Sequence, residues 1–353
     1  MVYNFKKILI IHTAGIGDLI AFTPVLRILR NNFPKATVDV FVLYTPESRH
    51  VLQEGETVNR IFEFAWTKNS FFNKLKFLYR LRKEKYDLST TPTDLHPLKG
   101  KILSFFIGAK VRVGEERKNK SKNGLFYTHT SLLRQDIKRT ESDMDLLRAI
   151  GLRIDYPLPA PFIEVSSKDE EFADNFLIKN SLNNKILIGF HPGSGENQKF
   201  KRWPQKYFIE LSRKILYNFP NAVILIFGGR GEEELCLGIK NELDKNAMVI
   251  SGYSLKQVAV LMNKCKVFVS SDSGLNHLAS TTKTNLVSIF GPTDPKRGAP
   301  IDREDVYILK ENCEHSYNLD TYKNYDRERV HSCLEKITPD RVFGKIKEVL
   351  SKF

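Results

Sequence analysis

The chain has 353 residues, more than the roughly 250–300 that a single hydrophobic core accommodates, so two domains are expected. A hydrophobic fraction of 41% argues against a mostly disordered chain, and the wide spacing of Cys236, Cys265, Cys313 and Cys333 argues against a zinc knuckle or a disulfide scaffold. The formal charge of +14 predicts attraction to a polyanion, which is a nucleic acid, an anionic lipid or a phosphorylated substrate.

Short strand-like runs alternate with amphipathic segments through the first half of the chain. Strands are predicted over 7–12, 37–43, 60–64, 86–90 and 110–113, and helices over 19–30 and 72–82. This alternation is typical of the α/β class with a doubly wound parallel sheet. The apolar runs are far shorter than the roughly 20 residues that cross a bilayer. With no signal-peptide pattern before the first strand and no cysteine framework, the protein is expected in a reducing cytosol.

Three prolines, Pro157, Pro159 and Pro161, predict an extended linker, so the domains are expected to be 1–160 and 161–338. The strand-helix pattern then restarts. Strands are predicted over 185–190, 222–227, 248–251, 266–270 and 285–290, and helices over 204–217, 232–243 and 255–263. Apolar residues at helical spacing predict a last helix over 339–350. The segment 339–353 is expected to pack back onto the first domain.

Ligands of parallel sheets bind beyond the carboxyl ends of the strands, so the turns that follow strands are the candidate sites. After the first strand, Gly15 and Gly17 permit a tight turn that presents Asp18 at a helix start. Asp18 is a candidate general base, although an acid there could instead cap or charge the first helical turn. A dinucleotide fingerprint would need a third glycine where Ile20 stands, which argues against a nicotinamide enzyme.

Three further turns, all in the second half, offer groups that suit a nucleotide sugar. The turn after residue 190 contains His191, Pro192, Gly193, Ser194 and Gly195, followed by Lys199, Lys201 and Arg202. Backbone N–H groups, a hydroxyl and cations bind diphosphates, although the cations could form only a solvated basic loop. After residue 227, one of Glu232, Glu233 and Glu234 could bind a ribose diol, or these acids could serve only the helix dipole. The fourth turn carries Asp272, Ser273, Gly274 and His277.

Taken in order, these motifs resemble the heptosyltransferase family, glycosyltransferase family 9, over nearly the whole chain. The residues that carry the resemblance are Gly15 to Asp18 with Thr23 and Pro24, His191 to Ser194, Lys201 to Pro204, Ser271 to Gly274 with His277, and Gly291 to Pro295. The resemblance implies a GT-B fold, with two Rossmann-like domains facing each other across a cleft. It implies that the first domain binds the acceptor and the second binds the nucleotide sugar.

The resemblance also implies an inverting, metal-independent transfer of heptose from an ADP-sugar to a lipopolysaccharide inner-core sugar, with no cofactor. It makes Asp18 the base and places Lys201 and Ser194 at the departing diphosphate. Donor binding would fall to Gly17, Ser194, Arg202, Glu232, Asp272, Ser273, Gly274 and His277. Arg112, Arg117, Lys118 and Lys122 are candidates for contacting the anionic acceptor, or are ordinary surface cations. The charge also fits peripheral contact with the inner membrane.

Two other functions are alternatives to the heptosyltransferase interpretation. The same fold and chemistry could serve another nucleotide sugar, or a capsule, O-antigen or protein acceptor. A nucleic-acid binder would use the charge but leave the glycine turns unexplained, and the sequence shows no recognised nucleic-acid motif. Cys313 and Cys333 are expected as free or buried thiols, the alternative being a metal site that they form with His315 and His331.

Overall fold

The computed structural model divides the chain into two compact units, Met1–Glu164 and Val165–Phe353. The structure describes residues 3–43, 50–52, 55–92, 97–116, 125–300, 305–318, 321, 325–327 and 331–351. The division at Glu164 lies close to the boundary predicted at residue 160. None of the helices in the described ranges combines the length and the apolar character that a membrane crossing needs.

The first unit is built on a parallel sheet. Its strands are β1 (Lys7–His12), β2 (Thr37–Val42), β3 (Arg60–Glu63), β4 (Leu88–Thr91), β5 (Val111–Glu116) and β6 (His129–Leu132), in the spatial order β3-β2-β1-β4-β5-β6. Its α-helices are α1 (Ile16–Asn32), α2 (Phe71–Lys83), α3 (Pro97–Ile107) and α4 (Arg139–Arg148). Helix α1 packs against α4, and α2 packs against α3. Parallel strands need crossover connections, which these helices supply.

The second unit repeats the same architecture. Its strands are β7 (Ile186–His191), β8 (Ala222–Phe227), β9 (Ala247–Ile250), β10 (Val267–Ser271), β11 (Asn285–Phe290) and β12 (Val306–Lys310), in the order β12-β11-β10-β7-β8-β9. Its α-helices are α5 (Ser167–Lys179), α6 (Gln205–Asn218), α7 (Glu233–Asn241), α8 (Leu255–Asn263), α9 (Gly274–Ala279), α10 (Pro295–Gly298), α11 (Ser332–Glu335) and α12 (Pro339–Leu350). Both sheets therefore have doubly wound order, which confirms the predicted α/β class.

The sequence analysis missed two strands, β6 and β12. Both are edge strands whose side chains are largely half-buried or exposed, so neither has the continuous apolar run of the central strands. The central strands β1, β8 and β11 begin and end at the predicted residues. Strands buried on both faces read as near-continuous apolar runs, and this is why sequence patterns identify them best.

The doubly wound order fixes where each unit can bind a ligand. The chain reverses its direction of winding between β1 and β4 in the first unit and between β7 and β10 in the second. The loops that follow two such neighbouring strands leave in opposite directions and open a crevice at the carboxyl edge. The turns after β1, β7 and β10, which carry the candidate site residues, lie at these two switch points.

The C-terminal helix α12 corrects one prediction. Its buried side chains Val342, Ile346 and Val349 belong to the core of the second unit, together with Phe208 of α6, whereas the sequence analysis placed the segment on the first domain. Trp203 anchors the start of this helix, because its indole Nε1 donates to the carbonyl of Ile337 at 2.8 Å. Periodicity predicts an apolar face but does not say which sheet that face covers.

Replacing Ile346 by Ala should lower the free energy of unfolding of the second unit by about 2–5 kcal/mol, because the truncation leaves a cavity in that core. The sequence contains only two tryptophans, Trp66 and Trp203. In a Trp66→Phe background, urea unfolding followed by fluorescence therefore reports on the second unit alone. The control is Lys347→Ala on the exposed side of α12, which should change stability by less than about 0.5 kcal/mol. Equal midpoints for the two variants would contradict this packing.

Candidate functional site

The turn after β1 presents Asp18 in the first turn of α1. Gly15 occupies the N-cap position of this helix, so Asp18 is not its capping residue. The Oδ1 atom of Asp18 accepts a hydrogen bond from Nη1 of Arg139 at 3.1 Å, while 41% of the Asp18 side chain stays exposed. A carboxylate that an arginine orients and that stays open to solvent is geometrically suited to accept a proton from a bound molecule.

Arg139, at the start of α4, holds Asp18 from a largely buried position. Its Nε donates to the fully buried carboxylate of Asp143 at 3.3 Å. Burial opposes the charge of Arg139, but Asp143 and Asp18 beside it raise its pKa above the ordinary value, so it stays charged. The sequence analysis missed Arg139, because no local pattern links it to Asp18. The pair forms only when α4 packs on α1.

His12, the last residue of β1, lies buried under the same turn. Its Nε2 donates to the carbonyl of Gly15 at 3.3 Å. Burial lowers the pKa of His12 to about 4, although Asp18 opposes this shift, so the imidazole is neutral at pH 7. The turn is therefore supported by a neutral histidine below and a charged arginine beside it.

In the second unit, the buried carboxylate of Glu232 joins the turns after β7 and β8. Oε1 accepts from the backbone N–H of Gly195 at 2.9 Å, and Oε2 accepts from the N–H of Gly229 at 2.8 Å. His191 at the end of β7 is the third partner, with Nε2 at 3.1 Å from Oε2. Burial would raise the pKa of Glu232, but His191 and the backbone donors outweigh it and lower the pKa to about 2. A Cβ atom on Gly193 would overlap this carboxylate, so the turn requires glycine there.

The other ring nitrogen of His191 contacts the start of α9. Because ionised Glu232 can only accept, Nε2 of His191 is the donor, and Nδ1 on the other side of the ring lies 3.0 Å from the Ser273 hydroxyl oxygen. The Ser273 oxygen in turn accepts from the N–H of Asn276 and caps α9. The sequence analysis expected Glu232 at a ribose and Ser273 at the donor. The structure shows that both hold the turns around the site together.

Lys201 and Asp272 form a second buried pair. Nζ of Lys201 lies 2.9 Å from Oδ2 of Asp272, and both side chains are about nine-tenths buried. Burial would raise the pKa of Asp272, but Lys201 outweighs it and brings the pKa below its ordinary value. Gly274 is the first residue of α9, and His277, half-buried one turn later, adds positive potential at Asp272. These four predicted residues are therefore neighbours in the structure.

Arg202 has two buried donor nitrogens that make no hydrogen bond within the described part of the chain. Its Nη2 lies 3.6 Å from Oε1 of Glu232, and neither Nε nor Nη2 has a hydrogen-bond partner among the described residues. Ser194, by contrast, donates its hydroxyl to the carbonyl of Gln198 at 2.7 Å within the same loop. A largely buried guanidinium with open donors is a favourable position for an anionic oxygen.

The segment after β12 supports the Lys201 loop and corrects a second prediction. Cys313 and Cys333, which were expected as free or buried thiols, form a disulfide, whereas Cys236 and Cys265 are free and buried. The two paired residues are 20 apart in sequence, but the chain returns and brings their Cα atoms to 5.1 Å. Sequence spacing alone does not reveal this return. Nδ1 of His331 lies 3.7 Å from the Cys313 sulfur, but His315 is outside this group of described ligand atoms.

Aromatic rings of this segment pack beside the site. Phe200, which precedes Lys201, contacts the rings of Tyr317 and Tyr325 at centroid distances of 4.9 and 5.0 Å. The Tyr325 hydroxyl lies 2.7 Å from Nε2 of His331. Tyr317 and Tyr325, which lie between the two disulfide cysteines in sequence, therefore pack against the loop that carries Lys201.

Of the four basic residues that were expected at an acceptor, the structure describes only Arg112. Arg112 lies near the amino end of β5, and its guanidinium donates to the carbonyls of Ala109, Leu125 and Phe126. Arg112 thus fixes the loop around its own strand, away from the carboxyl edge of the sheet. The expectations for Arg117, Lys118 and Lys122 lie outside the described residues.

Comparison with known proteins gives consistent results. Residues 74–326 match glycosyltransferase family 9 (heptosyltransferase). The chain is 25% identical to lipooligosaccharide heptosyltransferase 2 of Haemophilus ducreyi, over 98% of this chain and 99% of that protein. The solved Escherichia coli ADP-heptose lps heptosyltransferase II has the same fold (TM-score 0.77, 24% identity, 98% and 99% coverage). Escherichia coli heptosyltransferase WaaC with ADP-2-deoxy-2-fluoro heptose is also similar (TM-score 0.70, 19% identity, 97% and 99% coverage).

Glu232→Gln should destabilise the second unit by roughly 2–3 kcal/mol at pH 7, because it removes a buried, multiply hydrogen-bonded charge. The folded-state pKa of Glu232 lies below its unfolded value, so its contribution is complete above about pH 4.5 and declines as the pH falls towards 2. The stability difference between wild type and variant should therefore shrink by about half from pH 5 to pH 3, as measured by urea unfolding with Trp203 fluorescence.

The matched control for this experiment is Glu233→Gln, because Glu233 is the exposed neighbour in the first turn of α7. This control should change stability by less than about 0.5 kcal/mol at both pH values. A Glu232→Gln effect that stays constant from pH 5 to pH 3 would contradict the buried ionised carboxylate.

Proposed function

This chain belongs to glycosyltransferase family 9 and is a glycosyltransferase, and on that premise we propose that it moves heptose from ADP-heptose to a lipopolysaccharide inner-core sugar. Its relatives are named lipooligosaccharide and lipopolysaccharide heptosyltransferases, and they match over almost the full chain. One solved structure of this fold is named as holding ADP-2-deoxy-2-fluoro heptose, which supports an ADP-linked donor.

The observation that carries the proposal is the group of cations at the turn after β7. Arg202 has unused, largely buried donors, and Lys201 stands next to it in sequence with an ammonium that has further protons beyond the one facing Asp272. Together they place positive charge beside the backbone of a glycine-rich turn, which is the chemistry that a diphosphate needs. We assign the donor diphosphate to this position.

The reaction follows from these roles. Asp18 takes the proton of the acceptor hydroxyl while that oxygen attacks the anomeric carbon of the heptose. The bond from the anomeric carbon to the diphosphate oxygen breaks, and ADP leaves from the opposite face, so the configuration inverts. Lys201 and Arg202 stabilise the negative charge that develops on the leaving diphosphate, a task that needs no metal when fixed cations supply the field.

The structure also suggests how the donor groups divide. Both oxygens of Glu232 already accept from the protein, whereas Glu233 and Glu234 are exposed at the start of α7. We therefore assign the ribose diol to these exposed acids. Asp272, Ser273, Gly274 and His277 form the group that we assign to the sugar and its neighbouring phosphate, with Gly17 beside Asp18 on the first unit.

Thermal unfolding with ADP, ADP-heptose, UDP-glucose and GDP-mannose tests the donor. ADP-heptose at about 100 times its Kd should stabilise the protein by about 2.7 kcal/mol, more than ADP alone, and the other two should have little effect. Arg202→Met should abolish the shift, while Lys199→Met, an exposed cation of the same loop, should retain it. A response to UDP-glucose or GDP-mannose alone would keep the glycosyltransferase but exclude the heptose donor.

Asp18→Asn tests the base. Transfer to a lipopolysaccharide-core acceptor should fall by about 10²–10⁴-fold, because the amide cannot accept the hydroxyl proton, while stabilisation by ADP-heptose should stay as in wild type. Glu141→Gln removes a half-buried charge from the same unit, one that accepts from the Tyr156 hydroxyl, and serves as the control with unchanged turnover. Turnover retained in Asp18→Asn would exclude this residue as the base.

A further inference from the structure

Two neighbouring helices of the first unit expose large apolar side chains. On α2 these are Phe71, Phe72, Leu75 and Tyr79, and on α3 they are Leu98, Ile102, Phe105 and Phe106, a set that we name the apolar face. Phe72 is 80% exposed and Phe71 is 68% exposed. A large contiguous apolar surface on a folded protein marks an interaction site.

The apolar face is separate from the buried sides of the same helices. Leu78 and Leu81 of α2, with Leu103 and Ile107 of α3, pack into the core against the first sheet. The exposed residues recur at helical spacing, at 71, 75 and 79 on α2 and at 98, 102 and 106 on α3. Each helix therefore has one apolar side that is buried in the core and a second apolar side that is exposed.

Lysine and arginine side chains accompany the apolar face, and one of them, Lys101, pairs with Glu116. Helix α2 carries Lys74, Lys76, Arg80, Arg82 and Lys83, and α3 carries Lys99 and Lys101, while neither helix contains an acidic residue. In the described part of the chain, no ion pair involves Lys74, Lys76 or Lys83. Nζ of Lys83 instead lies 4.7 Å from the ring centre of Tyr79, so its stem covers apolar surface while its charge stays in water.

We propose that the apolar face docks on an anionic bilayer surface. Aromatic and leucine side chains interleaved with lysine and arginine suit the boundary between acyl chains and headgroups, where the rings enter and the cations meet phosphates. A protein partner is less suitable, because the buried centre of protein interfaces is depleted in lysine. The missing acidic residues make the electrostatic match specific to a negatively charged surface.

The position of the face connects it with the catalytic edge. Helices α2 and α3 follow β3 and β4, so their amino ends, which carry Phe71 and Leu98, lie at the carboxyl edge of the first sheet. The Asp18 turn follows β1 at the same edge. Resting on the proposed function, docking through this face would bring a membrane-anchored acceptor to the side of the unit that carries the base.

Vesicle sedimentation of the full-length protein tests the inference. Wild type should bind vesicles that contain phosphatidylglycerol, should bind pure phosphatidylcholine weakly, and should lose affinity as the salt concentration rises. The double variant Phe71→Ser, Phe72→Ser should bind phosphatidylglycerol vesicles at least about 10-fold more weakly. Lys74→Glu with Lys76→Glu should weaken binding and reduce its salt dependence. Tyr217→Ser, at an exposed aromatic of the second unit, is the control and should bind as wild type does.

Two further readouts separate this inference from the proposed function. The Phe71, Phe72 variant should keep the wild-type melting temperature, its ADP-heptose response and its transfer rate to a detergent-free, water-soluble acceptor, and should lose rate only on acceptor embedded in vesicles. Membrane docking through the apolar face would be contradicted if wild type failed to bind phosphatidylglycerol vesicles or if the variants bound as tightly as wild type. Neither result would affect the proposed donor binding. If wild type were a dimer in sedimentation velocity and the Phe71, Phe72 variant a monomer with unchanged lipid binding, the apolar face would be a protein interface, and membrane docking would be contradicted.

Discussion

A buried, ionised carboxylate organises the second unit, and the candidate donor site depends on it. Glu232 accepts backbone N–H groups from the turns after β7 and β8 and contacts His191, which reaches Ser273 at the start of α9. A charge in this position would be costly without partners, but three donors offset the cost and fix three turns relative to one another. Arg202 shares the same carboxylate at longer range, so its open donors keep a defined direction.

The first unit uses the same principle with the signs exchanged. Arg139 is a largely buried cation that is balanced by fully buried Asp143 and turned towards half-exposed Asp18. In each unit the buried charge positions a group at the carboxyl edge of a doubly wound sheet. Preorganisation of this kind allows charged groups to act without reorganising at the moment of reaction.

The distribution of the +14 charge is more informative than its total. Some cations lie inside the site and bind carboxylates, as Lys201 does, while others are concentrated on α2 and α3 among exposed aromatic rings. Arg112 belongs to neither group, since it binds backbone carbonyls. The cations that make up one net charge therefore contact carboxylates, backbone carbonyls or solvent, and composition cannot separate these positions.

The sequence by itself determined the α/β class, ten of the twelve strands found in the described ranges, and the turns that carry Asp18, Lys201 and Asp272. Local periodicity suffices for these because burial on both faces of a central strand leaves a continuous apolar run. Edge strands β6 and β12 lack that run. The placement of α12 and the Cys313–Cys333 disulfide also required the structure.

Which side chains form hydrogen bonds with each other was decided by the tertiary structure alone. Arg139 and Asp18 are 121 residues apart, and His191 and Ser273 are 82 apart, so no local pattern records either pair. Glu232 shows the same limit, because its position in a first helical turn was visible whereas its burial among Gly195, Gly229 and His191 was not. Periodicity reports how deeply a residue is buried, while the identity of its neighbour depends on which elements the fold packs together.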